Sequence, residues 1–148
     1  MRTVDVGSRL PQMSPADNEK ELAPRAILIV DDEPNNQRIL NYTLNKAGYE
    51  TLTAGNGEAA LDLLHEKSAD LAILDVAMPG MDGITLLHHI RTIQQYENLP
   101  VIILTGSGDD SERIRAEEAG VQSFLTKPAS SKTILDTVNH LLDPNAKS

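Results

Sequence analysis

Cysteine is absent from the 148-residue chain, so neither a disulfide framework nor a thiolate metal site can form. The same absence agrees with a reducing compartment. Tryptophan is missing too, phenylalanine occurs once and tyrosine three times, which excludes an aromatic core and leaves the interior to aliphatic side chains. Positive charge is scarce: 13 Lys and Arg stand against 22 Asp and Glu, for a formal charge of −9. With a sequence pI near 4.8 such a surface repels phosphate backbones, and direct nucleic-acid binding is not expected. No stretch approaches the roughly 18 apolar residues of a membrane span, and the N-terminal segment has no apolar signal core. A cytoplasmic protein with no membrane contact is the expectation.

At this length one domain is expected. Residues 1–24 carry Pro11, Pro15 and Pro24 among polar and charged neighbours without a sustained period, and read as a flexible N-terminal arm. The domain then runs over 25–143, with a short tail at 144–148. Within it, short apolar runs at 26–30, 49–53, 71–75, 101–105 and 122–126 predict five strands. Most are continuous rather than alternating, as in strands buried on both faces. Helical periods fall near 35–47, 57–67, 83–94, 109–119 and 130–142, the last with Ile134, Leu135, Val138, Leu141 and Leu142 on one stripe. Pro34 suits a first helical turn, and Gly48 and Gly120 stand where helix C-caps belong. Five strand–helix units in a row predict an α/β fold: a doubly wound parallel sheet with helices on both faces.

The functional crevice of such a sheet lies outside the carboxyl ends of its strands. Those ends carry Asp31 and Asp32, Asp75, Thr105, and Thr126 running into Lys127 and Pro128. Each has an ordinary reading alone: Asp after a strand caps a helix, Thr is a good strand residue, and a single Lys is usually solvated. Together they converge, because a parallel sheet sets its strand ends side by side. Three neighbouring carboxylates raise one another's pKa unless a cation sits among them. All are hard oxygen ligands, with no Cys and no placed His, so the expected ion is Mg²⁺, with Mn²⁺ as an alternative. Its open positions suit phosphate oxygens, with a Lys and a Thr hydroxyl alongside, and one carboxylate can then act as a nucleophile.

The ordered set "VDDE", "LDVAMPGMDG", "VIILTG" and "FLTKP" resembles the receiver domain of two-component response regulators over residues 26–142. The spacings, 30 residues from Asp75 to Thr105 and 22 from Thr105 to Lys127, resemble that family's as well. The resemblance implies a five-stranded flavodoxin-like (βα)5 sheet of order 2-1-3-4-5. It implies that Asp75 is the phosphoacceptor, attacking a phosphohistidine on a sensor histidine kinase or histidine phosphotransfer protein. Asp32 and Asp75 would ligate Mg²⁺ directly and Asp31 largely through water, with the backbone carbonyl of Ala77 as a further ligand. Lys127 would pair with a phosphoryl oxygen, its bond to Pro128 cis; a trans proline capping the strand is the bland alternative. Thr105 would hydrogen-bond the phosphoryl group, and Phe124 would turn inward behind it, although a lone Phe in an aliphatic core is ordinarily just core. Pro79, Gly80, Met78 and Met81 look like the turn over the site, and Asp82 like the cap of the next helix. Output would pass to an effector protein through the face of the fourth helix, fifth strand and fifth helix, with a homodimer formed on phosphorylation as one mode. The chain is read as a stand-alone or excised receiver that catalyses only its own phosphoryl transfer and dephosphorylation, and not as an enzyme.

Of two rival readings, one shares the strand-end acid and the other the doubly wound class. A haloacid-dehalogenase-type phosphohydrolase needs a second acid two residues on, where this chain has Ala77. A nucleotide or flavin module needs a glycine-rich turn after the first strand, where "DDEPNN" stands. A receiver-like platform that binds partners without phosphorylation remains a third. Ala77 and Ser107 are small where many relatives carry larger polar groups, which leaves the lifetime of the phosphorylated state open. Gly106 and Gly108 give the loop after Thr105 room for a switch or plain flexibility. His65, His88, His89 and His140 are expected at the surface, since adjacent His88 and His89 lie on different helix faces.

Overall fold

The computed structural model describes residues 24–106 and 109–144. Most of the expected N-terminal arm, Ser107, Gly108 and residues 145–148 lie outside the described residues. Elements follow in strict alternation: β1 (Ala26–Val30), α1 (Pro34–Lys46), β2 (Glu50–Ala54), α2 (Gly57–Glu66), β3 (Leu71–Leu74), α3 (Gly83–Thr92), a 3₁₀ turn (Gln94–Tyr96), β4 (Val101–Thr105), α4 (Asp110–Glu118), β5 (Ser123–Thr126) and α5 (Ser131–Leu142). The five strands form one sheet in the order β2-β1-β3-β4-β5, every pair parallel.

The continuous apolar runs are explained by burial on both faces. Ile27, Ile29, Leu71, Ile73, Ile102 and Leu104 point to the layer of α1 and α5, where Leu40, Leu44, Ile134 and Val138 meet them. Their alternates, Leu28, Val30, Ala72, Leu74, Val101 and Ile103, pack with residues of α2, α3 and α4 such as Leu64, Leu87, Ile90 and Ala116. The expected stripe on α5 follows this division, with Leu135, Leu141 and Leu142 partly buried beside the two core residues. Helix starts are fixed by side-chain acceptors: Asn56, Asp82, Asp109 and Ser130 each accept a backbone N–H from three residues on. Helix ends at α1 and α4 are followed by Gly48 and Gly120 at φ 99° and 90°, a conformation that favours glycine.

Boundaries differ from the sequence periods in two instructive places. The third helix ends at Thr92 rather than 94, and Ile93 leaves the helix at ψ 117°. Tyr96 accounts for the break: it is buried, and its hydroxyl donates to the carbonyls of Leu64 and Lys67 at 3.3 and 3.2 Å. A helix continuing to 94 would carry that ring away from its partners. The third strand ends at Leu74, one residue before Asp75, whose N–H still donates to Val30 O at 2.9 Å. Asp75 thus begins the loop while its backbone stays tied to the sheet.

At the amino end of the strands, Arg91 joins the end of α3 to the segments that lead into β4 and β5. Its guanidinium donates to Leu99 O at 2.8 Å, Tyr96 O at 3.2 Å, Gly120 O at 2.6 Å and Gln122 Oε1 at 3.0 Å. Arg91→Met strips these acceptors of their donor while keeping the stem. The variant should unfold at lower urea, with stability reduced by about 1–3 kcal/mol; an unchanged urea midpoint would show that water replaces the guanidinium without cost.

Candidate functional site

Register brings the strand ends together. Val30 pairs with Leu74, and Thr105 with Thr126, so Asp31, Asp75 and Lys127 all emerge at one edge of the sheet. The Lys127 N–H donates to Thr105 O at 2.7 Å, and the Lys127–Pro128 peptide bond is cis. The ammonium of Lys127 lies between two carboxylates, 3.0 Å from Asp31 Oδ2 and 3.2 Å from Asp75 Oδ2. The remaining oxygens have backbone donors: Glu33 N–H to Asp31 Oδ1 at 2.9 Å, and Ala77 N–H to Asp75 Oδ1 at 3.3 Å.

Asp31 and Asp75 are buried, at 2% and 7% exposure, whereas Asp32 is exposed. One carboxylate oxygen from each of the three lies within 4.8 Å of the others. Burial pushes the Asp75 carboxyl above its ordinary range; Lys127 draws it down, and the neighbouring Asp31 charge raises it again. Burial also disfavours the Lys127 ammonium, but the hydrogen bond to Asp31 and the charges of Asp75 and Asp31 outweigh it and hold the pKa above the usual lysine value. Two buried acids therefore share one firmly held cation, with Asp32 beside them, and the site resists the ionisation of Asp75. The donor set, all carboxylate oxygen, fits a hard divalent ion.

The structure places the sequence-predicted residues unequally. Asp31, Asp32, Asp75 and Lys127 meet in one cluster. Thr105, fully buried at the end of β4, is on the neighbouring strand. Ala77 sits two residues after Asp75 and is exposed, its N–H engaged by the Asp75 carboxylate. Phe124 is not part of the cluster: it is half-buried on β5, packed against the core layer of α2, α3 and α4, with the Arg113 guanidinium 4.6 Å from its ring centroid. Asp82 caps α3, accepting from Thr85 N–H at 2.8 Å, and receives Arg115 at 3.4 Å. Its carboxyl is held below the ordinary range: burial works upward, but the Thr85 hydrogen bonds and Arg115 prevail. All four histidines are exposed.

Two positioning residues were not singled out by sequence reasoning. Gly83, first in α3, passes so close to the Asp75 backbone that an added Cβ would stand 2.0 Å from Asp75 O, and its N–H donates to Val76 O at 3.0 Å. The "MDG" triplet gave the glycine but not the reason for it. Gln37, on α1, donates from Nε2 to Asp31 O at 2.5 Å and to Ala54 O at 3.4 Å, fixing the peptide that leads into Asp32. Nothing in the sequence distinguishes it from the other polar residues of that helix. Grooves open on both sides of the cluster: one floored by Ile39, Leu104 and Ile134 beside Lys127, the other between Asp32, Asn56 and Met81.

In metal-free protein the raised Asp75 carboxyl has a definite pH signature. Unfolding lets Asp75 ionise in its ordinary range, so above that range its charge destabilises the folded state. The penalty disappears as pH falls and Asp75 is protonated in both states. With chelator present, Asp75→Asn should therefore melt higher than the parent at neutral pH, and the gap should close as pH drops through the raised carboxyl value into the ordinary carboxylate range. A gap that is absent at neutral pH, or that widens in acid, would contradict this electrostatic account.

A family model for the response regulator receiver domain matches residues 27–139. The "Probable transcriptional regulator ycf27" of Galdieria sulphuraria is 42% identical over 108 residues, which cover 73% of this chain and 41% of that protein. Sporulation initiation phosphotransferase F of Bacillus subtilis is 40% identical over 116 residues, 78% of this chain and 92% of that protein. The ycf27 regulators of Guillardia theta and Cyanophora paradoxa likewise extend well beyond the matched part, the chain spanning 41% and 50% of their lengths. Among solved structures, Vibrio cholerae chemotaxis protein CheY4 superposes with a TM-score of 0.78 at 32% identity, covering 81% of this chain and all of that one.

Proposed function

Because the chain belongs to the response regulator receiver domain family, we propose that it is a phosphoacceptor switch in which Asp75 takes a phosphoryl group from a phosphohistidine. The donor is a sensor histidine kinase or a histidine phosphotransfer protein. The observation that carries the reading is Asp75 itself: a carboxylate presented from the end of a buried strand, bonded to Lys127 at 3.2 Å and crowded by two further acids.

Asp31, Asp32 and Asp75 would hold Mg²⁺, together with the Ala77 carbonyl. When bound, the ion offsets the surplus negative charge and polarises the phosphoryl oxygens for in-line displacement. The chain supplies the rest. A carboxylate oxygen of Asp75 attacks phosphorus as the phosphorus–nitrogen bond of the donor breaks, and the bonding pair leaves with the imidazole nitrogen, which water or the donor protein protonates. Lys127, anchored through its backbone to β4, shifts its ammonium from Asp75 to a phosphoryl oxygen. The Thr105 hydroxyl then hydrogen-bonds another, and Phe124 turns inward as Thr105 moves. In dephosphorylation water attacks the same phosphorus as its bond to the Asp75 oxygen breaks, releasing inorganic phosphate and the free carboxylate, so the chemistry stays on the chain and no external ester is turned over.

The altered surface of α4, β5 and α5 is then read by an effector protein, with homodimerisation one way of using it. A strongly charged α4 suits salt-sensitive docking. No described helix is long and apolar enough to cross a membrane.

Treatment with acetyl phosphate and Mg²⁺ should add the mass of one phosphoryl group to the parent chain. Asp75→Asn should gain none, and chelation should abolish the adduct. An adduct that survives Asp75→Asn, or none in the parent with any donor tried, would refute the mechanism and favour a phosphorylation-independent binding platform.

A further inference from the structure

Phe124 has no hydroxyl, so no hydrogen bond can hold it in either its resting or its inward position. Only packing and whatever lies over its ring can set its resting place. The guanidinium of Arg113, on α4, lies 4.6 Å from that ring's centroid, well inside the ~6 Å over which a cation is drawn to an aromatic face. The second arginine of the same helix, Arg115, is occupied elsewhere, on Asp82 at 3.4 Å. Arg113 therefore joins α4, the helix that follows Thr105 and its loop, directly to the single aromatic side chain of β5.

We propose that Arg113 is a positioning residue for the switch: its guanidinium, stacked on the half-buried Phe124, holds the ring in its resting place and must release it before the ring can turn further in. This rests on the reading of Thr105 and Phe124 as the switch pair. A cation–π contact of this kind, between two half-buried side chains, biases a two-state equilibrium by roughly two- to five-fold. The bias acts on both sides of the linkage. Removing the guanidinium raises the fraction of inward Phe124 without any ligand, and it tightens a ligand that favours the inward state by the same factor.

The chain contains one phenylalanine, so biosynthetic incorporation of fluorophenylalanine labels Phe124 alone. The full chain and the Arg113→Met and Arg113→Lys variants would be followed by fluorine NMR in Mg²⁺, before and during titration with beryllofluoride as the phosphoryl mimic, with binding measured in parallel by calorimetry. Arg113→Met keeps the bulk and loses the charge. Its resting resonance should move toward the mimic-bound position, and it should bind beryllofluoride roughly two- to five-fold tighter. Arg113→Lys, which keeps a cation, should fall between Met and the parent, and it carries the test if the Met variant does not fold.

If the parent resonance moves on binding but neither variant differs from it in affinity or resting position, the role of Arg113 is overturned while the switch stands. If the parent binds beryllofluoride and its Phe124 resonance stays put, the switch reading fails and the proposal falls with it.

Discussion

One ammonium among three carboxylates is the constraint on which the site depends. Lys127 bridges Asp31 and Asp75, and Asp32 stands within reach of both, so the cluster carries more negative charge than its single internal cation offsets. A protein interior tolerates such an excess only if a carboxyl accepts a proton or another cation enters. The raised Asp75 carboxyl is the first response, visible in the chain alone. A divalent ion is the second, and it would leave Asp75 ionised and nucleophilic. The same imbalance accounts both for the raised Asp75 carboxyl and for the fit of the three acids to a divalent cation.

Holding that imbalance requires a rigid frame, and the frame is the parallel sheet. Strand pairing fixes where the β1 and β3 acids end up relative to one another. The Lys127 N–H bond to Thr105 O sets the lysine from β4, and Gln37 and Gly83 adjust the two acid-bearing loops from the helices. The close approach of Gly83 to the Asp75 carbonyl packs the start of α3 against the Asp75 loop. On the opposite side, Phe124 and Arg113 couple β5 to α4. Among the described residues, packed elements thus lie between Asp75 and the surface of α4, β5 and α5.

The sequence made much of this legible, for a physical reason. Residues at the carboxyl ends of parallel strands must be neighbours, so Asp31, Asp75 and Lys127 could be placed together before any coordinates, and the continuous apolar runs marked strands covered on both sides. What was not legible depends on contacts between distant segments. The end of α3 at Thr92 follows from a hydroxyl bond between Tyr96 and the end of α2. Gln37 acts through a side-chain bond to a backbone carbonyl, and the Arg113–Phe124 stack pairs residues that no local pattern connects. Gly83 was visible as a letter, and only the packing shows what its missing side chain makes room for.

The central claim is that the three acids form a cation site built into the fold. The most direct measurement is thermal unfolding of the full chain against Mg²⁺ concentration, with Asp32→Asn alongside. A ligand that binds only the folded state stabilises it as RT ln(1 + [L]/Kd). The parent should melt at steadily higher temperature as Mg²⁺ rises past its dissociation constant, and Asp32→Asn should need far more ion for the same gain. A melting temperature indifferent to Mg²⁺, or an Asp32→Asn curve that overlays the parent's, would contradict the account.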